Sequence, residues 1–453
     1  MKTAIYFVSS LRALSLGQRL AVIQAIFSAL ATAAAYAVLL KSAGAASVGL
    51  LAVSQSYYAF FKIVDPLSSS GLGRFVAIAL NRKDAEHLRV GDSSRNAPST
   101  AISYIDSHFV GAALVGIVLL VPAVFCVDMF PPLANELMGV SPGALVLAIG
   151  LASVLNSLAT GTCDALDGSG YVERRCLLQL IGTAVFVFAA LIAVEPYGLF
   201  GFVSAQAAQW IVITVLGRRC LVESLDGLRL TPRTSRLVDI VNLSRYGMKL
   251  QLSNVLTVAC EPLLKILLSF AGSLNTVGVV EISLRLITAV RGLVVSAFMP
   301  KVPSFAVAAH QVSNYEVVAM LRESNRTLGV LCFGFFMTMA VSGLIFGYFQ
   351  YGDSKTSVLL FGALALGYII NTIGVTAYLF GQAAGEFRWN YVSQGLVPAT
   401  MSLFWFCVAG PIRPDTAIVV GYCLGLCLSG AAVNFGTAHR LGVRPRDLWI
   451  APR

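Results

Sequence analysis

Runs of about twenty apolar residues, repeated along the chain and broken only by short charged, Gly or Pro segments, constrain this sequence more than any other feature. Helices are expected near 19–40, 46–68, 108–130, 141–165, 175–195 and 197–217, then near 245–270, 276–302, 326–350, 356–380, 390–410 and 414–438. The second run can continue through Gly71–Leu80, where Arg74 is the one charge. Lipid offers no hydrogen bonds, so such runs must satisfy their own backbone as helices. They lack the alternation of a membrane barrel. Apolar residues make up 57% and charged residues 12%, about half the charge of a soluble domain. That excludes a soluble enzyme, a coiled coil and a disordered chain. The expected fold class is an all-α polytopic membrane protein of about 12 transmembrane helices in two six-helix bundles.

The formal net charge of +10 raises the question of nucleic acid, but no basic and aromatic soluble platform accompanies it. Membrane topology explains it better, because cytoplasmic loops collect Lys and Arg. With both termini cytoplasmic, one face carries 24 of the 32 basic residues, and its longest loops are at 81–107 and 218–244. The other face carries Lys41, Lys355 and Arg413. Ala4–Val8 is too short for a signal-peptide core, so the first segment is expected to stay on the chain. Nine cysteines without a CxxC pair read as small apolar residues, and four scattered histidines build no metal spacing.

An internal repeat divides the chain. Leu39–Gly44 resembles Leu267–Gly272, and Ser47–Val48–Gly49 matches Thr276–Val277–Gly278 at an offset of 229. Six helices separate the copies, so the halves share an orientation and are related about the membrane normal. The expected division is an N-terminal bundle at 1–217, a cytoplasmic linker at 218–244 and a C-terminal bundle with a short tail at 245–453.

Tyr246–Gly247–Met248–Lys249–Leu250–Gln251–Leu252, then Glu261–Pro262–Leu263–Leu264–Lys265, Phe270–Ala271–Gly272, Val277–Gly278 and Glu281–Leu286, resembles the start of the second half of polysaccharide-biosynthesis flippases. These form the Wzx-type branch of the multidrug/oligosaccharidyl-lipid/polysaccharide (MOP) exporters. The resemblance implies flipping of an undecaprenyl-pyrophosphate-linked oligosaccharide (an O-antigen, capsule or exopolysaccharide unit) across the bacterial inner membrane by alternating access. It implies as partners that glycan, membrane lipid and other glycan-assembly proteins such as a polymerase, with no nucleic acid. The usual Asp and Tyr of the family are here Glu261 and Glu281. No cofactor is expected, and coupling to Na+ or H+ stays open.

Ionisable residues inside a membrane are expensive and mark functional candidates. The basic ones are Lys62, Lys249, Lys265, Arg285 and Arg291. Lys62 and Arg291 differ by 229, so they occupy equivalent places on the second helix of each half, which in the resembled family lines the cavity. A cation from each half would contact the pyrophosphate, Arg by its fork and Lys as a point charge. Arg291 has no acidic neighbour within a turn. Glu261/Lys265 and Glu281/Arg285 are i, i+4 pairs that either neutralise each other or serve the cargo. Lys62 has Asp65 at i+3, and Lys249 is placed to snorkel. Glu261, Glu281, Asp65 and Asp164 are the candidates for ion coupling. Pro66, Pro300 and Pro303 are candidate hinges or static bends.

The rival readings are a MATE-type drug or cation antiporter on the same fold, a major-facilitator transporter, and a membrane glycan polymerase or ligase. A polymerase or ligase would need a large catalytic outer loop, and the expected outer loops are short.

Overall fold

The structure, a computed structural model, describes residues 16–63, 65–67, 72–80, 97–130, 141–225, 228–229, 231–271, 274–298, 305, 308–309, 313–348, 354–384, 388–408 and 413–450. Pro300 and Pro303 lie outside these residues, as does the side chain of Lys249. Helices dominate: α1 (Leu16–Lys62), α2 (Leu72–Leu80), α3 (Ala97–Phe125), α4 (Pro142–Gly168), α5 (Val172–Ser224) and α6 (Leu237–Ala271) come first. They are followed by α7 (Leu274–Ser296), α8 (Asn314–Tyr348), α9 (Ser354–Thr372), α10 (Val375–Ala383), α11 (Arg388–Val408) and α12 (Pro414–Leu441). Among the described residues six helices are long and apolar enough to cross a membrane, or seven if the bent pair α9 and α10 is one span. The chain is a multi-pass membrane protein.

Two of these helices are too long to be single spans. Straight helices of 47 and 53 residues would measure about 70 and 80 Å, against about 30 Å of hydrocarbon. Each breaks at a glycine with positive φ, Gly44 (φ 79°) in α1 and Gly198 (φ 52°) in α5. A side chain is strained there, and glycine is not. At Gly198 the chain folds back. A Cβ on Gly201 would collide with the carbonyl of Ala193, eight residues earlier, whereas eight residues of straight helix span about 12 Å. The second run does not continue unbroken to Leu80. Helix α1 ends at Lys62, a turn passes through Asp65 and Pro66, and α2 restarts at Leu72.

Several helices start earlier or end later than the apolar runs. Helix α3 begins at Ala97 rather than 108, α5 runs to Ser224 rather than 217, α6 begins at Leu237 rather than 245, and α8 begins at Asn314 rather than 326. Hydropathy marks the part of a helix that meets lipid, while the helix itself continues with polar turns. Arg218, Arg219, Arg245, Arg322 and Arg326, expected in loops, are therefore helical.

Contacts divide the chain into two compact units, Met1–Ala43 with Tyr57–Val255, and Gly44–Ser56 with Leu256–Arg453. Residues 218–255, expected as linker and the opening of the second bundle, thus belong with the first unit. In that unit Leu67, Leu72, Val76, Tyr104, Ile105 and Leu166 share one buried core with Leu221, Leu225 and Leu243.

The second limb of α1 packs in the second unit, against α7, and there the repeat becomes geometry. A Cβ on Gly49 would overlap the carbonyl oxygen of Leu274, and a Cβ on Gly278 would overlap that of Ala45. Gly49 and Gly278 differ by 229, and so do Ala45 and Leu274. The two helices cross about a local twofold axis, and only glycine lets the backbones come this close. Gly49→Ala or Gly278→Ala is expected to cost about 1–3 kcal/mol by overpacking. Gly362→Ala, with open space around it, should leave thermal melting unchanged or raise it. Equal melting of all three variants would contradict the crossing.

Candidate functional site

The ionisable residues of the second unit form one network. Helix α6 presents Glu261 and Lys265 one turn apart, and α7 presents Glu281, Arg285 and Arg291. Glu281 is completely buried. One of its oxygens lies 2.6 Å from Lys265 Nζ and the other 2.7 Å from Arg285 Nε. Lys265, also buried, reaches Glu261 at 3.8 Å. Signs alternate along Glu261, Lys265, Glu281 and Arg285, so the four sum to zero. An i, i+4 pair on each helix supplies two of these contacts, and Lys265 to Glu281 ties the helices together. Each charge of the four thus has an opposite charge beside it.

Arg291 stands apart. No carboxylate among the described residues lies within ion-pair distance of it. Its Nη2 donates to Asn371 Oδ1 at 3.0 Å, and its guanidinium lies 5.8 Å from the centre of the Tyr368 ring. Asn371 is itself oriented, its Nδ2 donating to Leu426 O and Ser429 Oγ at 3.1 Å each. Its oxygen is thereby committed to Arg291. Arg291 Nε is buried and donates to nothing among the described residues. The guanidinium is held by a neutral amide and an aromatic face, with no counter-charge among the described residues.

Tyr368 joins Arg291 to the neutral network. Its hydroxyl donates to Glu261 Oε1 at 3.3 Å and lies 2.8 Å from the Tyr422 hydroxyl. Tyr368 and Asn371 sit three residues apart on α9, so they share a face. Neither they nor Tyr422 and Ser429 stand out in the sequence. The available signal was polar residues at i, i+3 within an apolar helix.

In the first unit the candidates take other roles. Asp65 is buried, and its Oδ1 accepts from Leu67 N at 2.9 Å while its own N–H donates to Lys62 O at 3.0 Å. The carboxylate holds the turn around Pro66, between the end of α1 at Lys62 and α2. Asp164 lies in the last two turns of α4, where its carbonyl would be 2.7 Å from a Cβ on Gly73. One turn on, Asp167 pairs with Arg175 at 2.9 Å. Asp65 and Asp164 belong to one unit, Glu261 and Glu281 to the other. Among the described residues no three His, Cys, Asp or Glu side chains converge where a metal ion would sit.

No protein-family model and no curated protein matches the chain. Solved structures do. A multidrug-resistance MATE family transporter of the MOP superfamily, in its inward-facing conformation, aligns with TM-score 0.73 at 14% identity, over 92% of this chain and 94% of that one. The lipid II flippase MurJ, inward closed, aligns with TM-score 0.68 at 12% identity, over 94% and 88%. A MOP superfamily transporter from Pyrococcus furiosus, described as having a binding pocket of reverse polarity, gives 0.59 at 13% over 95% and 98%. The chain has the fold of the MOP transporters.

Proposed function

We propose that this protein is a flippase that moves an undecaprenyl-pyrophosphate-linked oligosaccharide from the inner to the outer leaflet of the bacterial inner membrane by alternating access. In this reading twelve spans form two six-helix bundles with both termini cytoplasmic. The observation that carries it is Arg291, a fixed guanidinium in an apolar helix with no carboxylate beside it among the described residues. An uncompensated charge inside a span is costly and is retained for what it binds. The free Nε–H edge suits a phosphate oxygen, and pyrophosphate supplies the missing negative charge. The likeness of fold to a lipid II flippase supports the same class of cargo.

In a strain lacking the gene, lipid-linked repeat units should accumulate on the inner leaflet and wild-type protein should clear them. Arg291→Ala should lower the rate by about 10- to 100-fold at normal protein levels, the range of one hydrogen bond to a charged group. Arg291→Lys should restore part of it. Asn371→Asp should inhibit similarly while keeping the arginine, because the new carboxylate neutralises it. Lys62→Ala, the equivalent position of the first half, is measured alongside. Full activity of a well-expressed Arg291→Ala protein would overturn the assignment.

A second reading, a MATE-type cation antiporter, is favoured by Glu261. Its carboxylate is partly exposed and is contacted by Tyr368 and, more distantly, Lys265. Of the four candidates for ion coupling, Glu261 is the one we assign that role, since both oxygens of Glu281 are engaged. Drug hypersensitivity of the deletion strain without accumulated glycan lipid would select this reading.

A further inference from the structure

In each unit a segment folds back on that unit's own third helix. After α5, residues 228–229 and 231–236 lie along α3. Ser103 Oγ donates to Thr234 O at 3.1 Å, and Asp106 Oδ2 accepts from the N–H groups of Arg233 and Thr234 at 3.0 Å. After α12, residues 445–450 lie on α8. Arg322 Nε donates to Asp447 O at 3.1 Å, and Asn325 Nδ2 donates to Leu448 O at 2.8 Å. In both units two side chains three residues apart, one turn of helix, hold the backbone of the returning strap. Sequence similarity does not show this part of the repeat: Ser103 and Arg322 both donate to a strap carbonyl, but Asp106 accepts from strap N–H groups where Asn325 donates to a carbonyl.

The straps hold arginines in place by their backbones. Arg229 O accepts from Arg218 Nε at 3.1 Å, Arg233 N donates to Asp106, and Arg236 N donates to Ser107 Oγ at 2.9 Å. Their side chains are exposed and meet no carboxylate among the described residues. Among the described residues the nearby acids are already engaged: Asp106 with Arg218, Asp239 with Ser103, and Glu223 with Arg219 at 3.7 Å. Large apolar side chains stand directly beside these arginines. Leu237 is 76% exposed and Val238 is 69%. The second strap repeats the pattern, with exposed Arg444 held through its N–H to Asp447 and Ile450 68% exposed.

We propose that the two straps seat the protein on anionic phospholipid headgroups. Guanidinium groups at fixed positions pair with headgroup phosphates, while Leu237, Val238 and Ile450 enter the acyl boundary beneath them. Water would leave those apolar side chains uncovered, and a zwitterionic surface would leave the arginines uncompensated. Because the backbones are already fixed by buried groups, little chain entropy is lost on binding. This role is independent of the cargo.

The test uses purified full-length protein in phosphatidylcholine nanodiscs, with spin-labelled phosphatidylglycerol and phosphatidylcholine as probes of the boundary lipid. Each arginine near an anionic surface contributes up to about fivefold in affinity. The wild type should prefer phosphatidylglycerol. Arg229→Gln/Arg233→Gln/Arg236→Gln should lower that preference at least about threefold, and Arg444→Gln should lower it less. The triple Lys variant should keep it. Salt raised from about 0.1 M to about 1 M should weaken it, as the screening length falls from about 10 Å to about 3 Å. Among the described residues the Arg229, Arg233 and Arg236 guanidinium groups make no ion pair, so the triple Gln variant is expected to melt as the wild type does. No preference in the wild type, or an undiminished preference in a folded triple Gln variant, would overturn the proposal.

Discussion

Glu281→Ala is expected to destabilise the protein by about 3–5 kcal/mol, the cost of removing one partner from a buried ion pair. Both Glu281 oxygens are engaged, and removing them leaves Lys265 with Glu261 alone, at 3.8 Å. Lys265 is 5% exposed, so a charge left there without its partner is poorly solvated. Arg285 differs, because its side chain is 40% exposed and can turn outward. Arg285→Ala should therefore cost about 1 kcal/mol or less, in the range of exposed pairs. Adding Lys265→Met to Glu281→Ala should recover most of the loss, since an apolar pair of similar volume replaces a buried ion pair at little cost. Thermal melting of the purified variants gives the order. Equal destabilisation by Glu281→Ala and Arg285→Ala would show that the network is not centred on Glu281.

The two intrahelical contacts of this network are legible in the sequence as i, i+4 spacings, because helical periodicity places those side chains on one face. Lys265 to Glu281 and Arg291 to Asn371 are not. They join separate helices, the second across 80 residues, and no local pattern encodes which faces will meet. The apolar runs located the helices because the constraint is local: a backbone in lipid must satisfy itself. Their ends were misplaced for the same reason, since hydropathy is silent once a helix passes into the headgroup region. The turn at Gly44 falls in the expected break between the first two runs, and that at Gly198 two residues past the expected break at 196. Gly49 and Gly278 were visible as matching letters, but the letters carried no hint that the two residues touch one another's helices.

Counting arginines as markers of topology also concealed a deeply buried one. Arg218 was expected as one more loop cation, yet it pairs with Asp106, lies 4.8 Å from the centre of the Phe109 ring and donates to Arg229 O. Asp106 and Arg218 are 112 residues apart, and the pair forms only because α5 extends past the lipid to Ser224 and α3 starts before it at Ala97. The extension that blurred the helix ends in the sequence is what gives the protein a polar interior at this end.

Asp106→Ala should accordingly be the most damaging single change in the first unit, at about 3–5 kcal/mol. Asp106 Oδ1 holds the Arg218 guanidinium, and Oδ2 accepts from Arg233 N, Thr234 N and, at 2.8 Å, Thr234 Oγ1. Its loss leaves a buried guanidinium without its counter-charge and two backbone N–H groups without acceptors. Arg218→Leu should cost less, because the N–H and hydroxyl donors of the strap still surround the carboxylate and leucine packs beside Phe109. Since both changes break one network, their costs in the double variant should fall short of the sum by about 0.5–3 kcal/mol. A local readout separates this from general weakening. Trypsin cuts after arginine, and the backbones of Arg229, Arg233 and Arg236 are held against the first unit. Asp106→Ala should open the strap to cleavage under conditions in which wild type and Arg285→Ala stay whole, giving two fragments of nearly equal size. It should also lower the preference for phosphatidylglycerol with every arginine still present, because the charges remain but their placement is lost. A strap that stays resistant in a destabilised Asp106→Ala protein would mean that the apolar contacts of Leu225 and Leu228, and not the carboxylate, hold it in place.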